Sequence, residues 1–556
     1  MRNILFKYFA LAAIFVAVGV FYSCEKTSEA ADAEFVDITV YCGADEASKV
    51  AVSEKHDDSG LSLAWEEGDC LIVRGNTTEK FTLKDIDGNK ATFTGRRVEG
   101  STFDVILTRS GDFLSRSYLS QTQQGVSSTA HLLYDACLKG VSTYTDVFFT
   151  EEWAMENGGR LLQSGTLLLH FQLPVAASLV TSVSLQSQSA DFYATNDPSG
   201  EKHSLISLSI TDGQVGADNQ VKAYVMTSAA QADIDAGAVM RLKVETDRGI
   251  YVKDFIPGRF SLVPGKRNVI RLNSRNWLPV VEYKDLTLMS YNIGSFLKYK
   301  TDLGHYSYPE AAVVVNHYSV DVIGMNETDN GMTRSENQYQ AEVFARELGS
   351  GWKYYFAYAL DTYYGNSILS SGRFAEVKRW PRLELPKGDG YETRSLGAIE
   401  YDDFVFCVAH LDHKSNTARL NAVQIINDWA QANYASSDKP VFLVGDMNCT
   451  PDDPTIGSLL EKWTRISSDG YTFSTASPSK CIDYIFVLNN EAEYEVNASD
   501  VITSCPGVTV SKISDHFPIY ADVTLIKRYP ENDNFSQHIQ GSVNPLPDNS
   551  LYEEEF

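Results

Sequence analysis

The chain has 556 residues, 43% of them hydrophobic. It is too long for one compact domain and apolar enough for several domains to bury their own cores. A formal net charge of −26 repels polyanions at long range. That balance argues against a dedicated nucleic-acid binder, although a metal site still recruits phosphate locally.

The chain begins with a segment that does not belong to a fold. Arg2 and Lys7 precede an apolar run over residues 8–22. The run falls short of the roughly 20 apolar residues a spanning helix needs. A charged start, an apolar stretch and a small residue at the cut point predict an export signal over residues 1–23. Ser23-Cys24 resembles the lipobox of bacterial lipoproteins, which implies Cys24 as the acylated mature N-terminus. Residues 24–34, acidic and Ala/Ser-rich, read as a tether. The expected address is therefore an exported lipoprotein of the outer membrane or cell surface, held by its lipid. Cys42, Cys70, Cys137, Cys407, Cys449, Cys481 and Cys505 show no zinc-ligand spacing and are expected mostly as buried free thiols.

Residues 35–274 read as β throughout. Residues 36–40 alternate, 166–171 are largely apolar, and 182–185, 240–244, 250–255 and 268–272 continue the pattern. Turns such as Asp87-Gly88-Asn89 and Asp212-Gly213 separate the runs. The length predicts two lobes, divided near residue 145. Leu63-Ala64-Trp65-Glu66-Glu67-Gly68-Asp69 resembles a hairpin of the fimbrillin-like proteins of Bacteroidales. Leu167-Leu168-Leu169-His170-Phe171 and Leu262-Val263-Pro264-Gly265-Lys266 resemble their second lobe. The resemblance implies tandem transthyretin-like sandwiches with an adhesive or scaffolding role. No acid–histidine cluster or nucleophile–base pair occurs here.

Residues 275–284 read as a linker. From residue 285 apolar strands alternate with helical stretches at 308–317 and 417–434, which predicts an α/β sandwich over 285–526. Residues 527–556 are rich in Pro, Asn and Glu and are expected to be disordered.

Within 285–526, six predicted strands end in polar groups: Asn292, Glu327, His410, Asp446 with Asn448, Asp483, and Asp515-His516. Singly, such residues mostly cap turns; their ordered occurrence over one domain points to chemistry. The ordered set resembles the endonuclease/exonuclease/phosphatase superfamily, the fold of DNase I, and in particular its bacterial metal-dependent hydrolases. Asn326-Glu327-Thr328-Asp329-Asn330 with Thr333-Arg334-Ser335, His410-Leu411-Asp412-His413 with Arg419, and Gly445-Asp446-Met447-Asn448 with Pro451 carry it. Asn326 stands where the family has Gln. The resemblance implies a four-layer α/β sandwich.

Phosphoester hydrolysis builds negative charge on phosphoryl oxygens, which a hard cation neutralises through oxygen ligands. Glu327 is the first expected ligand, with Asn292 and Asp515 beside it, for Mg²⁺ or alternatively Mn²⁺. His516 suits the general base by its intrinsic pKa. The resemblance implies Asp483 as its carboxylate partner, Asp446 and Asn448 on water and phosphate, and His410 on a phosphoryl oxygen. Asn366, Glu392, Arg394, His413 and Arg419 are candidates for bracing or substrate contact, and Asp412 is expected to cap its turn. The expected function is a membrane-anchored phosphoesterase, diesterase or phosphatase. The alternatives are an extracellular nuclease and an adhesin-like protein whose C-terminal domain does not cleave. Acidic residues outnumber basic ones in 285–526 and no basic or aromatic platform is evident, so a nucleic-acid surface is not expected.

Overall fold

The structure is a computed structural model. It describes residues 34–530 and 550–553, apart from 42–50, 55–60, 66, 89, 109–112, 133–135, 190, 198, 231–232, 235–237, 257–259, 262–266 and 361. The export signal, Cys24, nearly all of the tether, Cys42 and Leu262-Val263-Pro264-Gly265-Lys266 lie outside the described residues. The chain divides into two compact units. The first comprises Met1–Val52, Ser62–Phe113 and Leu133–Gln163; the second comprises Ser53–Leu61, Leu114–Leu132 and Ser164–Phe556.

In the first unit, eight strands form one sheet in the order Asp146–Phe148, Phe35–Tyr41, Lys90–Arg96, Thr78–Asp87, Cys70–Arg74, Phe103–Thr108, Ala136–Val141, Arg160–Gln163. Alternation sends Ile38, Val40, Phe81, Phe93, Val105 and Leu107 into one core. The division expected near residue 145 falls instead at Gln163. Val147 and Phe149 are fully buried in this first core, so the segment after 145 cannot leave it without exposing them. Conversely, Leu114–Leu132 belongs to the second unit, where Ser120–Gln124 pairs in parallel with Leu205–Thr211.

The second unit opens with a β-sandwich. Gly165–Gln172 lies between Gln220–Thr227 and Arg267–Leu272 in one sheet. The other sheet runs Ser120–Gln124, Leu205–Thr211, Val180–Ser187, Met240–Thr246, Gly249–Phe255. Leu167, Leu169 and Phe171 meet Val183, Leu185, Leu242 and Val244 in a shared core closed by Trp277.

The segment expected as a linker is a strand. Leu278–Asn292 runs unbroken for 15 residues. Its start pairs with Gly249–Phe255, Leu278 opposite Val252. Its remainder pairs with Ile519–Arg528, from Val281 opposite Arg528 to Ser290 opposite Ile519. The sandwich sheet therefore continues into the C-terminal domain through one strand. Polar Glu282, Lys284 and Asp285 disguise it, because in sequence they interrupt the apolar run between Val281 and Leu286. The tail expected to be disordered from 527 also corrects. The strand passes 526 to Arg528, and Ser550–Glu553 pairs in parallel with Arg267–Leu272. The open edge of that short sheet offers unpaired backbone groups that composition does not reveal.

The C-terminal domain stacks four layers. Leu278–Asn292 and Val322–Asp329 run parallel in the first sheet, joined through helix Tyr308–His317. Val405–Ala409 and Val441–Asp446 do the same in the second sheet, joined through Asn416–Tyr434. Ser415 starts that helix by accepting a hydrogen bond from the Ala418 amide at 3.1 Å. The sheets meet face to face through Ile323, Met325 and Ile368 on one side and Phe406, Val408, Val444 and Ile485 on the other. Helices Tyr308–His317 and Gln340–Leu348 cover the first sheet, and Asn416–Tyr434 and Pro454–Leu460 cover the second. Gly324 sits at the closest approach, where an added Cβ would collide with Val444 and Val408. The six described cysteines are all buried and outside any disulfide, Cys70 and Cys137 in the first unit, where the Cys70 thiol donates to the Thr108 carbonyl, and the rest in this domain.

Gly324→Val is expected to destabilise the protein by at least about 1–3 kcal/mol, the usual cost of overpacking a filled core. Thermal unfolding followed by circular dichroism reads this directly, and an unchanged midpoint contradicts the close approach of the sheets.

Candidate active site

Backbone geometry aims the first set of groups. Asn292 and Asn326 are register partners at the same ends of two parallel strands. The register then shifts between Met325 and Thr328, and Glu327 takes a positive φ of 59°. A bulge of this kind re-aims a side chain that strict alternation would send elsewhere. The bulge is held from outside. Ser295 Oγ donates to the Glu327 carbonyl at 3.0 Å and to Asp329 Oδ1 at 3.2 Å. Arg334 forks onto both Asp329 oxygens at 2.7 and 2.9 Å.

Asn326, fully buried, ties the two sheets together. Its Nδ2 donates to Asn366 Oδ1 and to the Ala409 carbonyl, each at 2.9 Å. Its Oδ1 accepts from the Asp446 amide at 2.8 Å. The shorter carboxamide thus still reaches three partners, and the Asn-for-Gln difference leaves the site intact. Asn366, buried, passes the connection on to the Ser395 carbonyl at 2.8 Å. It braces the site and does not line the cavity.

The second sheet supplies the acids and the imidazoles. Asp446 and Asp483 are directly opposed across an antiparallel pair, so both carboxyls emerge on one face. Asp446 Oδ1 accepts from the Asn448 amide at 2.8 Å, and Oδ2 accepts from Asn292 Nδ2 at 3.0 Å. The same Asn292 nitrogen lies 3.2 Å from Glu327 Oε1. Its carbonyl oxygen accepts from the Gly294 amide at 3.2 Å. Asn292, expected as a ligand, here orients two carboxylates. His516 Nδ1 faces Asp483 Oδ2 at 2.8 Å, and its Nε2 stands 3.7 Å from Asp446 Oδ2. Asp483 Oδ1 is buried without a hydrogen-bond partner.

His410 lies against both groups. Its Nδ1 is 3.1 Å from an Arg394 guanidinium nitrogen, which only donates. Its Nε2 faces the Asn448 side-chain Nδ2, which also only donates, at 2.9 Å, and Asp446 Oδ2 at 3.6 Å. Arg394 is in turn paired with Glu392 at 2.8 Å and approaches His413 Nδ1 at 3.5 Å. Asp412 caps its loop by accepting from the Lys414 and Ser415 amides, each at 2.8 Å. Arg419 braces the same loop through the Asp412 carbonyl and Asp453, each at 3.1 Å.

Burial shapes the charges. Burial, and then the facing Asp483 carboxylate, push the Asp446 carboxyl well above its ordinary range. Burial alone would lower the His516 imidazole, but Asp483, with Asp446 and Asp515 behind it, outweighs this and raises it to about 10. Burial and the neighbouring Arg394 charge hold His410 well below its usual value, so it is neutral.

Glu327, Glu392, Arg394, His410, His413, Asp446, Asn448, Asp515 and His516 line one cavity of about 840 Å³. Ligand atoms of Asp446, Asp483 and His516 lie within 4.8 Å of one another. Glu327 and Asp515 face the same space from the first sheet and from the loop before Ile519–Arg528. Crowded carboxylates, one with an orphaned oxygen, fit a hard divalent cation. Glu327 and Asp515, with the Asp446–Asp483 pair adjoining, are the residues to hold it.

Residues 289–516 match the Endonuclease/Exonuclease/phosphatase family, and this part of the chain is a domain of that family. With that domain, the chain is a metal-dependent phosphoric ester hydrolase. No curated protein matches the chain. Among solved structures, it is similar to an endonuclease/exonuclease/phosphatase family protein from Bacteroides thetaiotaomicron, at 19% identity over 44% of this chain and 99% of the other, TM-score 0.37. It is also similar to a mannosyl-6-phosphatase of Bacteroides thetaiotaomicron VPI-5482, at 19% identity over 43% and 99%, TM-score 0.36. A third, an endonuclease/exonuclease/phosphatase from Bacteroides vulgatus, shares 18% identity over 44% and 99%, TM-score 0.37.

Sequence reasoning did not single out Tyr391, Phe473 and Lys480, which line the cavity, or Lys298, which pairs with Asp515 at 3.0 Å. They sit on loops, and nothing in their local sequence separates them from ordinary surface residues. Asn326→Ala is expected to cost about 1–3 kcal/mol of stability, because it leaves the Asp446 amide and the Ala409 carbonyl unpaired. Activity should fall with it, since the Asp446 turn loses its anchor. Denaturant unfolding and turnover on a generic phosphoester check both, and wild-type behaviour in the two assays removes Asn326 from the frame of the site.

Proposed function

We propose that this chain is an exported, lipid-anchored phosphoesterase that uses Mg²⁺, with Mn²⁺ as a substitute. It cleaves a phosphomonoester or phosphodiester by direct attack of water. The observation that carries the chemistry is the convergence of Glu327, Asp446, Asp515 and His516 on one cavity, with Asp483 buried behind His516 and its Oδ1 left unpaired. The bound cation supplies charge neutralisation on the phosphoryl oxygens.

The chain's own groups supply the rest. The carboxylate field that raises the His516 imidazole to about 10 is offset once the cation is bound. With Asp483 holding the Nδ1 proton, Nε2 then faces the cavity free to take a proton from water as its oxygen attacks phosphorus. Asp446 and Asn448 orient that water. His410 hydrogen-bonds a phosphoryl oxygen. The phosphorus–oxygen bond to the leaving group breaks, and the departing oxygen is reprotonated from solvent. No covalent protein intermediate forms. The acidic balance of the domain favours a small phosphoester over a polyanion.

Address and architecture complete the reading. The charged start, the short apolar run and Cys24 followed by a polar tether support lipid anchoring. The fimbrillin-like signatures support a role for the β lobes as an outward spacer or scaffold that presents the enzyme.

EDTA is expected to abolish hydrolysis and added Mg²⁺ to restore it; full turnover in a chelated sample verified metal-free by elemental analysis overturns the metal assignment. His516→Ala should lower turnover by roughly 100- to 10,000-fold with the fold intact. Glu327→Gln should instead raise the Mg²⁺ concentration needed for half-maximal activity. Near-normal turnover of His516→Ala would move the base elsewhere. Mass spectrometry of the membrane-extracted N-terminal peptide should find acylated Cys24, and an unmodified N-terminus well beyond it would make the enzyme a soluble secreted one.

A further inference from the structure

Lys298 is a charged neighbour of the site that the mechanism leaves unused. Its Nζ lies 3.0 Å from Asp515 Oδ2, with the lysine side chain 50% exposed and the aspartate 20%. Lys298 therefore answers to one of the carboxylates assigned to the cation. The guanidiniums that line the cavity have other partners: Arg334 is forked onto Asp329, and Arg394 is paired with Glu392.

The segment that carries Lys298 belongs to the site. It follows directly on Gly294–Phe296, where the Gly294 amide bonds Asn292 Oδ1 and Ser295 Oγ bonds the Glu327 carbonyl. The backbone is thus anchored to the residues that frame the cavity, while the four-carbon stem is free to swing. An ammonium and a divalent cation cannot share one carboxylate without strong repulsion.

We propose that Lys298 is a built-in counter-ion that neutralises Asp515 before the cation binds, yields that carboxylate to the cation, and then binds a phosphoryl oxygen of the substrate. The inference rests on the phosphoesterase reading above. In the metal-free protein the ammonium limits the repulsion among Glu327, Asp446, Asp483 and Asp515. Once displaced, it is a positive charge on a flexible stem beside Asp515, a residue that lines the cavity. Lysine serves such a handover better than arginine, because its charge is compact and makes no planar fork with the carboxylate.

The test uses the full chain stripped of metal, with Lys298→Met, which keeps the stem and removes the charge, and Lys298→Gln as a second neutral variant. Mn²⁺ binding is measured by isothermal titration on the stripped protein. Inorganic phosphate binding is measured on the protein saturated with Mg²⁺. The expected pattern has opposite signs: Mn²⁺ affinity rises about tenfold and phosphate affinity falls about tenfold, each a shift of about 1.4 kcal/mol. A merely structural lysine would weaken both or neither. Unchanged or weaker Mn²⁺ binding in the folded variants overturns the counter-ion role, and unchanged phosphate binding overturns the handover. If the wild-type chain itself binds no Mn²⁺, the phosphoesterase reading fails instead.

Discussion

Mutual repulsion among buried carboxylates is the constraint around which the C-terminal domain is arranged. Asp446 and Asp483 are fully buried and directly opposed across two strands, and Glu327 and Asp515 open onto the same cavity. Such a group of charges is costly away from water unless donors surround it. The donors are present: Asn292 between Glu327 and Asp446, the Asn448 amide on Asp446, His516 on Asp483, and Lys298 on Asp515. Asp483 Oδ1 remains unpaired. A site that concentrates negative charge beyond what its own donors satisfy attracts a cation, and that is the chemical basis of its activity.

That arrangement demands rigid support, and the sheets provide it. Glu327, Asp446 and Asp483 sit on strands whose opposite faces are packed, so their positions follow from backbone register rather than from flexible loops. Gly324 lets the two sheets approach, and Asn326 then ties them across the interface by reaching the Asp446 amide and the Ala409 carbonyl together. A bulge at Glu327 and a positive φ at Asn448 break the strand pattern where side chains must turn toward the cavity. The Glu327 bulge is held by Ser295, Arg334 and the Asp329 carboxylate.

Leu278–Asn292 gives the second unit a mechanical character of its own. One strand pairs with the sandwich at its beginning and with the catalytic sheet along the rest, and it ends at Asn292. Lys253 adds to the junction: its buried ammonium donates to the Asn273 carbonyl at 3.2 Å and to the Arg275 carbonyl at 2.7 Å. A backbone ladder runs through residues 278–284, so the sandwich sheet and the sheet that bears the site share one strand.

The sequence by itself determined the elements whose signals are local. Helix 308–317 and strand 441–446 follow from periodicity and apolar runs, and the groups at Asn292, Glu327, His410, Asp446, Asp483 and His516 follow from an ordered motif set. The β character of residues 35–274 was legible for the same reason, because alternation is written residue by residue. What only the tertiary structure decided depends on partners distant in the chain. Residues 278–284 become a strand because two other strands pair with them, and the first unit reaches Gln163 because Val147 and Phe149 fill its core. Asn292 bridges two carboxylates, and Lys298 meets Asp515 across more than two hundred residues of chain, through distances no local pattern encodes. Pairing energy and charge proximity are properties of assembled space, so they appear only once the sheets are closed.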